Sequence, residues 1–201
     1  MKKLSSILMI ATAGLMFQAC NSTPKDSTAA ADSVNKVKDT TTTGKTGIAV
    51  VADDAKFAVD AANGGMTEIE LSKLATAKTT SAKIKEFADM MVMDHTKAGG
   101  ELKAVAQVKN ITLPDSLNAD SKKVVMDLSK KSGADFDKAY VDKMVADHKA
   151  TVEMFEDGSK KIKDADLKAF VDKTLPTIKG HLDNINKIKS GMKESFLLKK
   201  Y

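Results

Sequence analysis

The chain has 201 residues, of which 42% are hydrophobic and 4% aromatic, with one cysteine, three histidines and no tryptophan. Its formal charge of +5 invites a nucleic-acid or acidic-lipid partner, but all 32 basic side chains are lysine and they alternate with Asp and Glu. Without the planar arginine fork that reads phosphates and base edges, and without a massed basic stretch, a nucleic-acid partner is not expected and the lysines read as a solvated polar face.

The first predicted element is a leader, residues 1–19. Two lysines precede an uncharged run from Leu4 to Phe17. That run is too short to span a bilayer, which takes about 20 helical residues, and it suits the apolar core of a secretory signal peptide. The leader ends in FQAC, which resembles a lipobox; Phe17 and Gln18 depart from its commonest form. Cys20 is therefore the expected lipidation site, which leaves no thiol for a disulfide or a metal. The expected address is the cell envelope: an exported lipoprotein anchored through lipid, in the outer membrane facing the periplasm, with protein partners that the sequence does not name.

Residues 20–47 follow as the acylated cysteine and its linker. The segment is rich in Ser, Thr, Ala, Lys and Asp, with no aromatic residue. It offers little apolar area against its ordering entropy, and a flexible, disordered tether is expected.

Residues 48–201 form one domain, in which hydrophobic spacing near 3.6 dominates. Long helices are predicted over about Ala52–Lys78, Ser81–Lys109, Ala134–Lys161 and Asp164–Lys189, and a short one over about Ser121–Lys131 inside the connection between the middle pair. Pro176 falls inside the last helix and is expected to kink or divide it. Two short connections around a long crossover give an all-α, ferritin-like four-helix bundle.

The heptad seams carry the chemistry. They read Phe57, Ala61, Gly64, Glu68, Leu71, Ala75 on the first long helix; Ile84, Phe87, Met91, His95, Ala98, Leu102, Val105 on the second; Phe136, Tyr140, Met144, His148, Thr151, Phe155 on the third; and Leu167, Val171, Thr174, Ile178, His181, Ile185, Ile188 on the fourth. Each seam holds one strongly polar, ligand-capable residue: Glu68, His95, His148 and His181. At about 1.5 Å per residue all four fall near mid-bundle. Three imidazoles and a carboxylate at one level are a plausible set for a divalent transition metal. Met91 and Met144 lie one turn before His95 and His148, in the repeated pattern Asp-x-Met-Val-x-Asp-His at 89–95 and 142–148. Thioether ligands would shift the preference to copper. Asp94 and Asp147 either accept an imidazole N–H from a neighbouring helix or face water, and Glu70 is the rival to Glu68. The alternative reading is a metal-free structural or interaction module of the outer membrane, whose buried polar layer is a hydrogen-bond network.

The blocks GGMTEIELSKLATAKTTSAKIKEFADMMVMDHTKAGGELKAVA, SGADFDKAYVDKMVADHKATVEMFE and LPTIKGHL, in this order, resemble the bacterial domain-of-unknown-function 4142 family over about residues 52–190. The resemblance implies a ferritin-like bundle and an envelope location; its pattern falls on Glu68, Leu71, Asp94, His95, Phe136, Asp137, Tyr140, Asp147, His148, Pro176 and His181. It implies no settled activity. Di-iron oxidases of this architecture use Glu-x-x-His on two helices, whereas Val92, Val145 and Ile178 stand three residues before the histidines here. No reactive hydroxyl context and no glycine-rich phosphate loop accompanies them, so the expectation leans away from an enzyme.

Overall fold

In the computed structural model, which describes residues 26–39 and 51–198, every element is helical: α1 Ser27–Asp39, α2 Ala52–Lys78, α3 Ala82–Val108, α4 Ala119–Ser129, α5 Gly133–Lys161 and α6 Ala165–Leu198. Helices α3, α4 and α6 start where a polar side chain satisfies one of their first N–H groups. Ser81 Oγ accepts from Ile84 N, Asn118 Oδ1 accepts from Ser121 N at 2.8 Å, and Asp164 Oδ1 accepts from Leu167 N at 2.9 Å.

The long helices pair as hairpins, α2 on α3 and α5 on α6, and α3 against α6 and α2 against α5 close the square. The crossover carrying α4 lets α3 and α5 run in the same direction, as the ferritin-like reading requires. Buried Asp54 fixes one end of the bundle, its Oδ2 accepting from the backbone N–H groups of Lys163 and Asp164 at 2.9 and 2.8 Å. Lys109 pairs with Asp164 and Asp166 at the same end.

The seams face inward as the spacing predicts, and the interior divides into two apolar clusters. One gathers Leu71, Ile84, Phe87, Met91, Phe136, Tyr140, Met144 and Ile185. The other gathers Phe57, Leu102, Phe155, Leu167, Phe170, Val171 and Ile178. On all four long helices the polar residue of the seam falls between its contributions to the two clusters. Glu68, His95, His148 and His181 are buried and separate the two halves of the core.

Two expectations need correction. The segment read as a flexible tether contains α1, which packs on α2. Composition missed it because the anchoring is mostly polar. The amide of Asn35, itself 3% exposed, donates to Thr112 O at 2.9 Å and accepts from Thr112 N at 2.7 Å. Ala31 adds a small buried contact, and Lys38 Nζ donates to Asn110 O. The second correction is in α6, which runs through Pro176 without a break and continues beyond Lys189. Pro176 and Asp172 are both exposed, so the carbonyl that proline leaves without an N–H faces water. Beyond Gly191, Met192 packs on the first apolar cluster and holds the last turns in place.

The predicted signal peptide, Cys20 and residues 21–25 and 40–47 of the predicted tether lie outside the described residues. No helix of the described residues is long and apolar enough to cross a membrane.

Candidate metal centre

Three helices deliver one imidazole each to the middle of the bundle: His95 from α3, His148 from α5 and His181 from α6. Their ring centroids are 6.0 Å apart for His95 and His148, 5.4 Å for His95 and His181, and 5.5 Å for His148 and His181. One nitrogen from each ring lies within 4.8 Å of one from each of the others. Phe87, of the first apolar cluster, makes T-shaped contacts with the rings of both His148 and His181.

His148 and His181 are each held by a hydrogen bond at one nitrogen, His95 lies against Glu68, and each of the three rings has a nitrogen without a hydrogen-bond partner. His148 Nδ1 is 2.9 Å from Met144 O, one turn back on its own helix, and donates to it. His181 Nε2 donates to Asp94 Oδ2 at 2.9 Å. His95 Nδ1 lies 3.3 Å from Glu68 Oε2. The partnerless nitrogens are His95 Nε2, His148 Nε2 and His181 Nδ1. A buried nitrogen without a partner costs about 1–3 kcal/mol, and three in one layer form a pattern. Imidazoles that bind metal characteristically give their remote N–H to a carbonyl or carboxylate, which orients the ring and fixes its tautomer.

The electrostatics agree with that use. Burial, helped by the neighbouring imidazoles, lowers the His95 pKa to about 3; burial, helped by His181 and opposed by the bond to Met144 O, lowers that of His148 to about 4. Both rings are neutral near pH 7, with a lone pair available. Glu68, 3% exposed, is pushed up to about 8 by burial and by the charge of Asp147, against a smaller pull from Lys143. Its Oε1 is 3.3 Å from His148 Nδ1 but accepts no hydrogen bond, because that N–H is given to Met144 O.

The structure therefore brings together His95, His148 and His181 and places Glu68 at the rim of the cluster. The carboxylate faces the Nδ1 atoms of two rings, the outer position of a carboxylate–histidine pair, while the three histidines alone form the converging group. Asp94 takes the supporting role that its place in the repeat allows. Asp147, its counterpart, instead pairs with Lys143 at 2.7 Å. Glu70 is outside the site: it pairs with Lys73 at 2.7 Å on the outer face of α2. Met91 and Met144 are fully buried in the first apolar cluster, where they fill core space, and Met144 serves the site through its carbonyl. The seam reading missed Met66 and Met154, which line the cavity beside the histidines, two positions and one position off their stripes.

The pattern of a domain of unknown function, DUF4142, matches residues 38–188. The chain belongs to the DUF4142 family. No curated protein matches it in sequence. Among solved structures it is similar to a DUF305 fragment from Deinococcus radiodurans, with a TM-score of 0.62 at 10% identity over 69% of this chain and 96% of that one. It is also similar to CopM in its Cu(I)-bound form, TM-score 0.57, and in its Ag-bound form, TM-score 0.56, each at 15% identity and covering 69% of this chain and 96% of CopM. These structures share the all-α bundle with this DUF4142 chain, and at such identity the likeness is one of fold.

Proposed function

We propose that this DUF4142 protein is a cell-envelope lipoprotein that binds one transition-metal ion, copper as Cu(I) foremost, through His95, His148 and His181. The observation that carries the reading is the layer of three buried imidazoles, each with a partnerless nitrogen and two of them held by a hydrogen bond at the other. Neutral imidazole suits copper and zinc, and three nitrogens with no carboxylate among them give a low-charge set that favours a monovalent ion over a hard divalent one. The Cu(I)- and Ag-bound forms of CopM support the choice. Ligand bonds of about 2.0–2.1 Å need nitrogens roughly 3.4 Å apart. The 4.8 Å limit observed here therefore asks only small ring rotations. Asp94 holds the remote side of His181, and Glu68 lies 3.3 Å from Nδ1 of His95 and of His148. The lipid anchor at Cys20 and the envelope location rest on the leader sequence alone.

The decisive experiment is elemental analysis of the chain from Asn21 onward, after reconstitution with Cu(I), Zn(II) and Fe(II) under reducing conditions. The reading expects about one copper per chain, abolished in His95→Ala/His148→Ala. A folded protein that retains none of the three would leave the layer as a metal-free architectural network. Cys20→Ser tests the anchor, and should move the protein from the membrane to the soluble fraction.

A further inference from the structure

A cavity of about 90 Å³ leads from the surface to the histidines, and all four long helices line it. His95 and His181 form its inner end, and both are buried and present a partnerless nitrogen. His148 is not among its lining residues, so the cavity reaches the cluster from one side. Gly99 on α3 and Thr177 on α6 are its fully exposed lining residues, which puts its mouth between these two helices.

The glycines along it are not explained by packing. A Cβ built at Gly64 or at Gly99 meets nothing within 4 Å, and neither residue has a positive φ. Glycine inside a helix weakens it relative to almost any other residue. Here that weakening returns no close helix contact and no special turn; what it leaves is open space. The chemistry of the lining is equally selective. In a chain with 32 basic residues, no lysine lines the cavity. Its acidic residues are Glu68 and Asp94, beside the histidines, and two thioethers line it, Met66 from α2 and Met154 from α5.

We propose that this cavity is the passage by which a soft monovalent metal ion reaches and leaves the three histidines, with Met66 and Met154 as its transient thioether ligands on the way. The proposal rests on the metal-binding reading above and adds a route and a selectivity to it. Thioethers hold Cu(I) without neutralising charge and release it readily to imidazole. A strongly hydrated divalent ion would have to shed its water against a mostly apolar wall. The absence of lysine removes the repulsion a cation would otherwise meet.

The test uses the chain from Asn21 and Cu(I) exchange with bathocuproine disulfonate, followed in both directions by stopped-flow absorbance. Gly64→Leu/Gly99→Leu narrows the passage while raising helix propensity, so loss of fold is not expected. Both uptake and release should slow at least tenfold, with the affinity within twofold of wild type. Met66→Leu/Met154→Leu should slow both directions about fivefold, again at unchanged affinity. Wild-type rates in both variants would overturn the passage while the histidine site stands. A loss of affinity at unchanged uptake in the methionine variant would make those residues equilibrium ligands and overturn their transient role. Failure of the wild-type chain to take up Cu(I) would overturn this inference together with the metal-binding reading.

Discussion

His181 of α6 gives its Nε2–H to Asp94 of α3 at 2.9 Å, which joins the two helices at the level of the histidine cluster and points Nδ1 of the same ring at no other group. Asp94 directly precedes His95 in the chain, so one turn of α3 supplies a ring to the cluster and the orientation of another. Asp94→Asn keeps the shape but weakens the acceptor. Loss of such supporting groups commonly costs 10–100-fold in metal affinity, and a fall in that range is expected in a Cu(I) competition titration, with the thermal stability of the metal-free protein little changed.

His148→Leu separates architecture from ligation. In the metal-free protein the fully buried ring leaves Nε2 without a partner, and an apolar side chain of similar size removes that cost. The variant is expected to be as stable as wild type or about 1 kcal/mol more stable, and to lose any metal-induced rise in Tm. Urea melts with and without chelator check both parts.

The metal-free protein should be most stable near pH 6.5. Below the ordinary histidine value of 6.5, the unfolded chain takes up protons at His95 and His148 that the fold accepts only near 3 and 4, so stability falls with pH. Above the ordinary glutamate value of 4.5, the unfolded chain gives up the Glu68 proton that the fold keeps to about 8, so this group alone makes stability fall as pH rises. Between 4.5 and 6.5 two histidines oppose one glutamate and stability climbs. From 6.5 to 8 Glu68 acts without them, with a slope of up to about 1.4 kcal/mol per pH unit. Glu68→Gln should flatten the alkaline side and steepen the acid side, where the two histidines then act unopposed, as read by urea denaturation in chelator from pH 5 to 8.5.

Gly158 is the glycine that packing does require. A Cβ there would lie 2.9 Å from Phe57 Cε2 and 3.2 Å from Ile162 Cδ1. Both belong to the second apolar cluster, and Phe57 is fixed edge-on against Phe155 at 5.2 Å. Gly158→Ala should cost about 1–3 kcal/mol by overpacking, despite the gain in helix propensity, and a lowered urea midpoint would show it.

Asn35→Ala should release α1 from the crossover. Its two hydrogen bonds to Thr112 are lost, and Thr112 N and O must find water instead. Amide hydrogen exchange is expected to accelerate across Ser27–Asp39 while α2, α3, α5 and α6 keep their protection.

The long helices and the layer of Glu68, His95, His148 and His181 were legible because a seam at heptad spacing encodes both facing and depth. What each polar residue does at that depth was not legible. Glu68 differs from a ligand by which imidazole nitrogen it faces, and Glu70 was excluded only by its contact with Lys73. Both depend on side-chain geometry that spacing does not carry. α1 escaped for a related reason: Asn35 reads as a polar linker residue until its partner, 77 positions away, is known. Met66 and Met154 sit off the stripes, where a helix face turns from core filler into cavity wall.

The histidines come from α3, α5 and α6, whereas α2 contributes only Glu68, on the remote side of two rings. An ion at the cluster would therefore act as a rivet through three of the four walls and leave the fourth fastened by packing and by hydrogen bonds such as those of Asp54 and Ser72. α2 also bears α1 on its back, and α1 is the described element nearest in sequence to Cys20. Loading the centre would stiffen one side of the molecule and leave compliance on the other, so that a pull on the proposed anchor at Cys20 would arrive first at the wall the ion does not hold.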